Sequence, residues 1–225
     1  MKKYIITLLS CIFIYTVCIP VIFAHAQFKL TKKEFKEIKD GKIILKETHP
    51  HYLKKYSNTP WVAVTFFERT PIEIAGVILD FHKYTKMFAK VKDLTVKPMG
   101  QSRYRLIYTV KSGFFTFYYT IIMTYDKKQN LIWWDLDPKE KNDFKTYKGY
   151  WKFIQRDKGT VAIYSISPIA KIAVPDFLQE NGSRNEMPKT VQEIKDWIKN
   201  KGQEKTSHPS IQLETPFEKD STSNW

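Results

Sequence analysis

The sequence predicts an α+β domain: a strand runs into a short helix, long antiparallel strands follow, and a helix closes the domain. Three observations predict it. Residues 61–99 read strand, capped helix, aromatic knuckle, strand. Residues 91–168 then break into six runs of strand character, separated by short, turn-rich connections. Finally, Met187, Val191, Ile194 and Ile198 return to helical spacing.

Residues 1–26 differ in character from the rest of the chain. Lys2 and Lys3 precede an apolar run over 4–23, and Ala24-His25-Ala26 comes directly after it. Together these features read as a secretory signal with Gln27 at the mature N-terminus. An uncleaved anchor is the alternative, because the run is nearly long enough to span a bilayer. Pro20 and the placed alanines favour cleavage, so an exported, periplasmic protein is expected. Cys11 and Cys18 are the only cysteines and both lie inside this segment. The exported part would then hold no disulfide and no thiolate metal site, and would depend on its core for stability.

Residues 27–60 form a lead-in. Thr31 and Glu34 have capping-box spacing, Leu30 and Phe35 can staple the first turn, and Asp40-Gly41 ends the helix. A short strand is expected over 42–46, then an irregular polar stretch to Pro60 containing His49-Pro50-His51. The domain proper is expected over 61–201. After its first strand, Thr70 caps a helix, Pro71 suits the first helical position, and Glu73 closes the box. Ile74, Val77, Ile78 and Phe81 share one stripe of that helix.

Strands are expected over 91–99, 102–111, 114–126, 130–137, 143–156 and 160–168. Gly100, Ser112-Gly113, 127–130, 138–142 and Asp157-Lys158-Gly159 separate them, and such short connections imply an antiparallel meander. The late helix begins near Val174, Phe177 and Leu178, with Pro188 expected to mark a break or a fresh start. From 202 to 225 the chain is polar and reads as a mobile tail.

Alternation gives each strand two faces. Arg103, Arg105, Thr109 and Lys111 share one face, which leaves Tyr104, Leu106, Tyr108 and Val110 inward. Thr116, Thr120 and Thr124 oppose Phe115, Phe117, Tyr119, Ile121 and Met123. Asp135 and Asp137 leave Ile132, Trp134 and Leu136 inside; Lys148 and Lys152 leave Tyr147, Trp151 and Phe153, with Gly149 among them. The inner face is therefore rich in Tyr and Trp, whose polar tips need partners. Either a core with satisfied hydroxyls or a pocket holding water or ligand meets that need.

The chain carries 37 Lys and Arg against 23 Asp and Glu, a formal charge of +14. The lysines are dispersed, which fits a solvated surface with mild attraction to anionic membranes. Inward aromatics and the export signal argue against nucleic-acid binding. His49 and His51 offer too few ligands for zinc, so no metal is expected. Asp135, Asp137 and Glu140 sit beside Pro138 and read as turn composition. There is no nucleophile elbow, P-loop or dinucleotide-binding glycine run, so neither catalytic residues nor a cofactor are assigned.

Several short motifs, in order, resemble the helix-grip (SRPBCC) superfamily of START lipid-transfer domains, polyketide cyclases and coenzyme Q-binding proteins. Thr70-Pro71-Ile72-Glu73 resembles its strand-to-helix junction. Asp80-Phe81-His82-Lys83-Tyr84 with Met87-Phe88 is similar to its knuckle. Gly149-Tyr150-Trp151-Lys152-Phe153 ahead of Asp157-Lys158-Gly159-Thr160 is similar to a strand pair, and Val174-Pro175-Asp176-Phe177-Leu178 to the start of its closing helix. The resemblance implies a curved antiparallel sheet around a C-terminal helix, with a hydrophobic cavity between them. Its implied ligand is a hydrophobic small molecule or lipid, with a cyclase- or hydrolase-like enzyme as the alternative. On this view Phe81, Tyr84, Phe88 and Phe177 line the cavity from the helices. Tyr104, Tyr108, Phe117, Tyr119, Met123, Trp134 and Trp151 line it from the sheet. The knuckle over 81–88 or the closing helix would yield to admit the ligand.

Overall fold

The computed structural model describes residues 28–47, 50–171 and 176–201, the last span with side chains from 184 to 200. The expected signal segment, His49, the polar tail and the side chain of Phe177 lie outside the described residues.

Helix α1 (Lys32–Lys39) starts from a complete capping box: Glu34 N–H donates to Thr31 Oγ1 at 3.1 Å and Thr31 N–H to Glu34 Oε2 at 2.7 Å. Strand β1 (Ile44–Lys46) follows. The stretch expected to be irregular then forms a 3₁₀ segment, His51–Tyr56, anchored by fully buried Leu53. Strand β2 (Val62–Phe67) leads into α2 (Pro71–Leu79), whose Thr70–Glu73 box closes with bonds of 3.4 and 2.8 Å. Beyond it a 3₁₀ turn (Phe81–Lys83) and α3 (Tyr84–Met87) make the knuckle.

Six strands follow: β3 (Val91–Pro98), β4 (Arg103–Ser112), β5 (Phe115–Asp126), β6 (Leu131–Leu136), β7 (Phe144–Arg156) and β8 (Gly159–Ala170). All pairings are antiparallel, in one sheet of order β1-β2-β8-β7-β6-β5-β4-β3. The consecutive strands form the expected meander, and β8 returns to lie beside β2. Helix α4 (Asp176–Lys201) closes the domain.

The main core lies between the inner face and the helices. Met187, Val191 and Ile194 of α4 are buried there against the sheet. Lys195 ties the same helix to the lead-in and to β2, donating to Gly41 O at 2.8 Å and to Thr65 Oγ1 at 3.1 Å. The expected break at Pro188 does not occur; α4 runs through it. An interior proline costs about 3 kcal/mol. Burying a large apolar side chain contributes about 1.5–3 kcal/mol, so the three buried side chains next to Pro188 outweigh the lost bond.

The outer face is not simply wet. Val62, Val64, Phe66, Leu131, Tyr150, Val161 and Ile163 are buried in a second cluster beneath α1 and the 3₁₀ segment. Tyr56 stacks on Trp133 at 5.4 Å and Arg156 lies over Phe35 at 4.3 Å. The lead-in is thus a lid on the back of the sheet, and it leaves the front to α4.

Candidate functional site

A cavity of about 630 Å³ lies between the inner face of β4–β8 and α4. That size is typical of a small-molecule site, which runs from roughly 300 to 1,000 Å³. Its floor follows from strand alternation: Tyr108 and Val110 of β4, Phe117, Tyr119, Ile121 and Met123 of β5, and Trp134 of β6 point the same way. Tyr147 and Trp151 of β7 and Tyr164 of β8 continue the floor, and Thr190 and Ile194 of α4 roof it.

One glycine sets the depth of the floor. A Cβ on Gly149 would lie 2.3 Å from Ser165 O and 2.5 Å from Trp134 Cζ2, so the indole of Trp134 rests on the bare backbone of the paired position in β7. No larger residue fits without moving one of them.

The floor presents ring faces in series. Tyr108 stacks on Tyr119 at 5.0 Å, Tyr119 on Tyr147 at 4.3 Å, and Trp151 on Tyr164 at 4.2 Å. The polar groups among them are hydroxyls and the indole N–H groups of Trp134 and Trp151, that of Trp134 being buried without a hydrogen-bond partner among the described residues. Tyr119 donates to Tyr147 at 3.1 Å, and Tyr164 shares a hydrogen bond with Thr190. Burial pushes all of these phenols up. Tyr108, Tyr119 and Tyr164 move well above the ordinary phenol value, with neighbouring phenols, Tyr147 foremost for Tyr119 and Tyr164, adding to the effect of burial, and Tyr147 reaches about 12. At neutral pH they are uncharged donors and acceptors, matched to a carbonyl or hydroxyl, and too weakly acidic to exist as phenolate bases.

Charge is confined to one end. There Lys90 pairs with Glu186, Lys189 pairs with the same carboxylate at 3.1 Å, and Glu193 accepts from Ala89 N–H at 3.0 Å. Burial raises the Glu186 carboxyl, but the two lysines outweigh it and hold it below its usual value. Glu193 ends above its usual value because burial dominates over the Ala89 N–H. These contacts fasten α4, the closing helix that is one of the two parts expected to yield, to Ala89 and Lys90, just beyond the knuckle over 81–88.

Of the residues expected to line the cavity, Tyr84, Phe88, Tyr108, Phe117, Tyr119, Met123, Trp134 and Trp151 are on its wall. Phe81 and Tyr104 are not. The chain leaves helical geometry at Asp80, so the Phe81 ring turns onto Tyr104 at 4.9 Å and Tyr84 at 5.5 Å, in an aromatic cluster beside the cavity. Tyr84 spends its hydroxyl on Ile78 O at 2.5 Å and offers only its ring. Alternation alone did not single out Tyr164, Thr190 and Phe144 on the wall. The aromatic alternation of β7 and β8 was the available signal for Tyr164; the place of Thr190 depends on the docking of α4.

The carboxylates read as turn composition include an ion pair. Asp137, with a side chain 1% exposed, meets Arg105 Nε at 2.8 Å and also accepts from Lys139 N–H at 3.0 Å. Arg105 lies on the face of β4 opposite Leu106 and Tyr108, so this pair stands apart from the cavity. Among the described residues no group of three or more His, Cys, Asp or Glu side chains converges to hold a metal.

No protein-family model matches the chain, and no curated protein does. Solved structures do. A Thermus thermophilus protein superposes with a TM-score of 0.54 at 16% identity, over 65% of this chain and 98% of its own. A STAR-related lipid transfer protein from Xanthomonas axonopodis gives 0.53 at 11% identity, over 62% of this chain and 85% of its own. A START superfamily protein from Mycobacterium smegmatis gives 0.51 at 13%, over 64% and 97%. At these identities the likeness is one of fold. The chain has the α+β helix-grip fold of START-type structures, with an open, curved antiparallel sheet and a C-terminal helix.

Proposed function

We propose that this chain binds an apolar, lipid-like molecule in the cavity beneath α4 and shields it from water, as an exported protein of the bacterial envelope. The observation that carries the reading is the cavity itself: about 630 Å³ of space walled mainly by aromatic and aliphatic side chains, with neutral hydroxyls along its floor and charge at one end only. At a water-like volume per heavy atom it accommodates on the order of twenty non-hydrogen atoms. Each methylene moved from water into such a site contributes about 0.8 kcal/mol, against the cost of immobilising the ligand. A ligand carbonyl or hydroxyl would meet the Tyr119–Tyr147 pair.

The fold of a lipid transfer protein is consistent with this reading but does not fix it, because one fold hosts many activities. Binding is favoured over acid–base catalysis because the titratable groups on the cavity floor are phenols held protonated, and the two carboxylates at its charged end are engaged, Glu186 by Lys90 and Lys189 and Glu193 by the Ala89 N–H. Export rests on the sequence of residues 1–26.

Mass spectrometry of a solvent extract from natively purified protein tests the proposal. One class of apolar molecule near one equivalent per chain is expected. A protein that releases no apolar molecule and takes up no apolar fluorescent probe would overturn it.

A further inference from the structure

The β4–β5 hairpin ends in an exposed aromatic tip. Gly113 turns the chain at φ +61°, a conformation that favours glycine, and the next residue, Phe114, is 103% exposed. Phe115 follows at 59% and Tyr118 at 58%. Single exposed apolar residues are ordinary, but neighbouring exposed rings at one hairpin tip mark a surface that meets something apolar. The tip is also the rim of the cavity, because Ser112 and Phe115 belong to its wall.

The charge around this tip is positive. Lys111 flanks the turn and is exposed. Asp143 accepts from Tyr118 N–H through its carboxylate at 2.6 Å, and its carbonyl accepts from Lys171 N–H at 2.8 Å, which brings Lys171 to the same end. Lys145 follows Phe144, whose ring is 5.1 Å from Phe117. Lys111, Lys145 and Lys171 are exposed, and among the described residues none of them is in an ion pair. Two acids here are engaged, Asp143 by Tyr118 and Glu186 by Lys90 and Lys189, and exposed Asp93 lies further back, opposite Thr109 on β3.

Aromatic rings that insert, ringed by lysines, complement a surface that is apolar beneath and anionic above. A second copy meeting tip to tip would set lysine against lysine. We propose that the β4–β5 hairpin docks on an anionic bilayer, with Phe114 and Phe115 entering between headgroups and Lys111, Lys145 and Lys171 contacting phosphates. Docking there places the cavity rim on the membrane, so an apolar molecule passes between bilayer and cavity without crossing water. This deepens the proposed function and rests on it for its purpose, although the surface can be tested without reference to the cavity.

Hydrogen exchange on the full chain reads the surface residue by residue, so any attachment through residues 4–23 does not confuse it. With phosphatidylglycerol vesicles, amides over 112–118 should slow. The effect should vanish at high salt and be absent with phosphatidylcholine vesicles. In Phe114→Ser the protection should fall roughly tenfold at equal lipid, from the loss of one inserted ring, with an unchanged melting temperature because Phe114 makes no core contact. Two results would overturn the proposal. One is vesicle-bound protein whose 112–118 amides exchange as in the free protein. The other is tip protection that depends on protein concentration without vesicles, which would make a second copy the occupant. Solvent extraction of the same samples separates the two ideas: an empty cavity with a protected tip sinks the ligand reading alone.

Discussion

Gly149→Ala probes how the cavity floor is built. The added methyl would sit 2.3 Å from Ser165 O and 2.5 Å from Trp134 Cζ2, about 1 Å inside the roughly 3.5 Å of ordinary contact. The Ser165 carbonyl is held in the β7–β8 ladder, where Gly149 pairs with Ile166 and Tyr150 with Ser165. The indole is the freer of the two neighbours, and its way out is into the cavity. Overpacking of this kind costs about 1–3 kcal/mol, and an off-rotamer indole adds about 1 kcal/mol. Urea unfolding should therefore show a loss of about 2–4 kcal/mol at unchanged slope, together with weaker uptake of an apolar probe as the indole takes up space. A variant within about 0.5 kcal/mol of wild type, the range of an ordinary surface substitution, would refute the reasoning.

Two further outcomes concern other parts of the molecule. Asp137→Ala removes the buried partner of Arg105 and the acceptor for Lys139 N–H. Arg105 is 27% exposed and can recover water, so the expected loss is about 2–3 kcal/mol, below the roughly 3–5 kcal/mol of a fully buried pair that is broken. Probe binding should survive, because the pair faces away from the cavity; urea melts and probe titration check both. The third outcome concerns pH. The cavity tyrosines ionise at higher pH folded than unfolded, so their contribution is fully present below pH 10.0 and lost as pH rises through their folded values, about 12 for Tyr147. Urea midpoints across the alkaline range should fall from that point, and Tyr119→Phe should fall less. An equal fall in the variant would contradict the assignment.

The strands were legible because their signals are local. Alternation and turn residues fixed β3 to β8 within a residue or two at most ends, and the caps at Thr31 and Thr70 formed with both of their bonds. The back of the sheet was less legible. Tyr150, between Lys148 and Lys152, carried the signal that the lysine face is covered, yet its cover comes from a stretch that reads as irregular. The 3₁₀ turns there draw their stability from burying Leu53 and stacking Tyr56, which local propensity does not report. The same limit explains Pro188, where docking of α4 overrides the expected break. It also explains Phe81: the knuckle resemblance implies a ring on the cavity wall, whereas the helix ends at Leu79 and the turn that follows sets the ring against Tyr104. Eight of the expected wall residues are on the wall because strand alternation and the knuckle motif orient them; the roof needed the tertiary structure.

The central claim is that the space beneath α4 holds an apolar molecule and is not a packed core. Ile121 and Ile166 face it from β5 and β8. The most direct measurement is titration of an apolar fluorescent probe into wild type and into the Ile121→Trp, Ile166→Trp double variant, with urea melts alongside. The cavity account predicts one probe site in wild type, at least tenfold weaker binding in the variant, and stability within about 1 kcal/mol because the indoles enter free space. No probe site in wild type, with a variant destabilised by several kcal/mol as in an overfilled core, would contradict it.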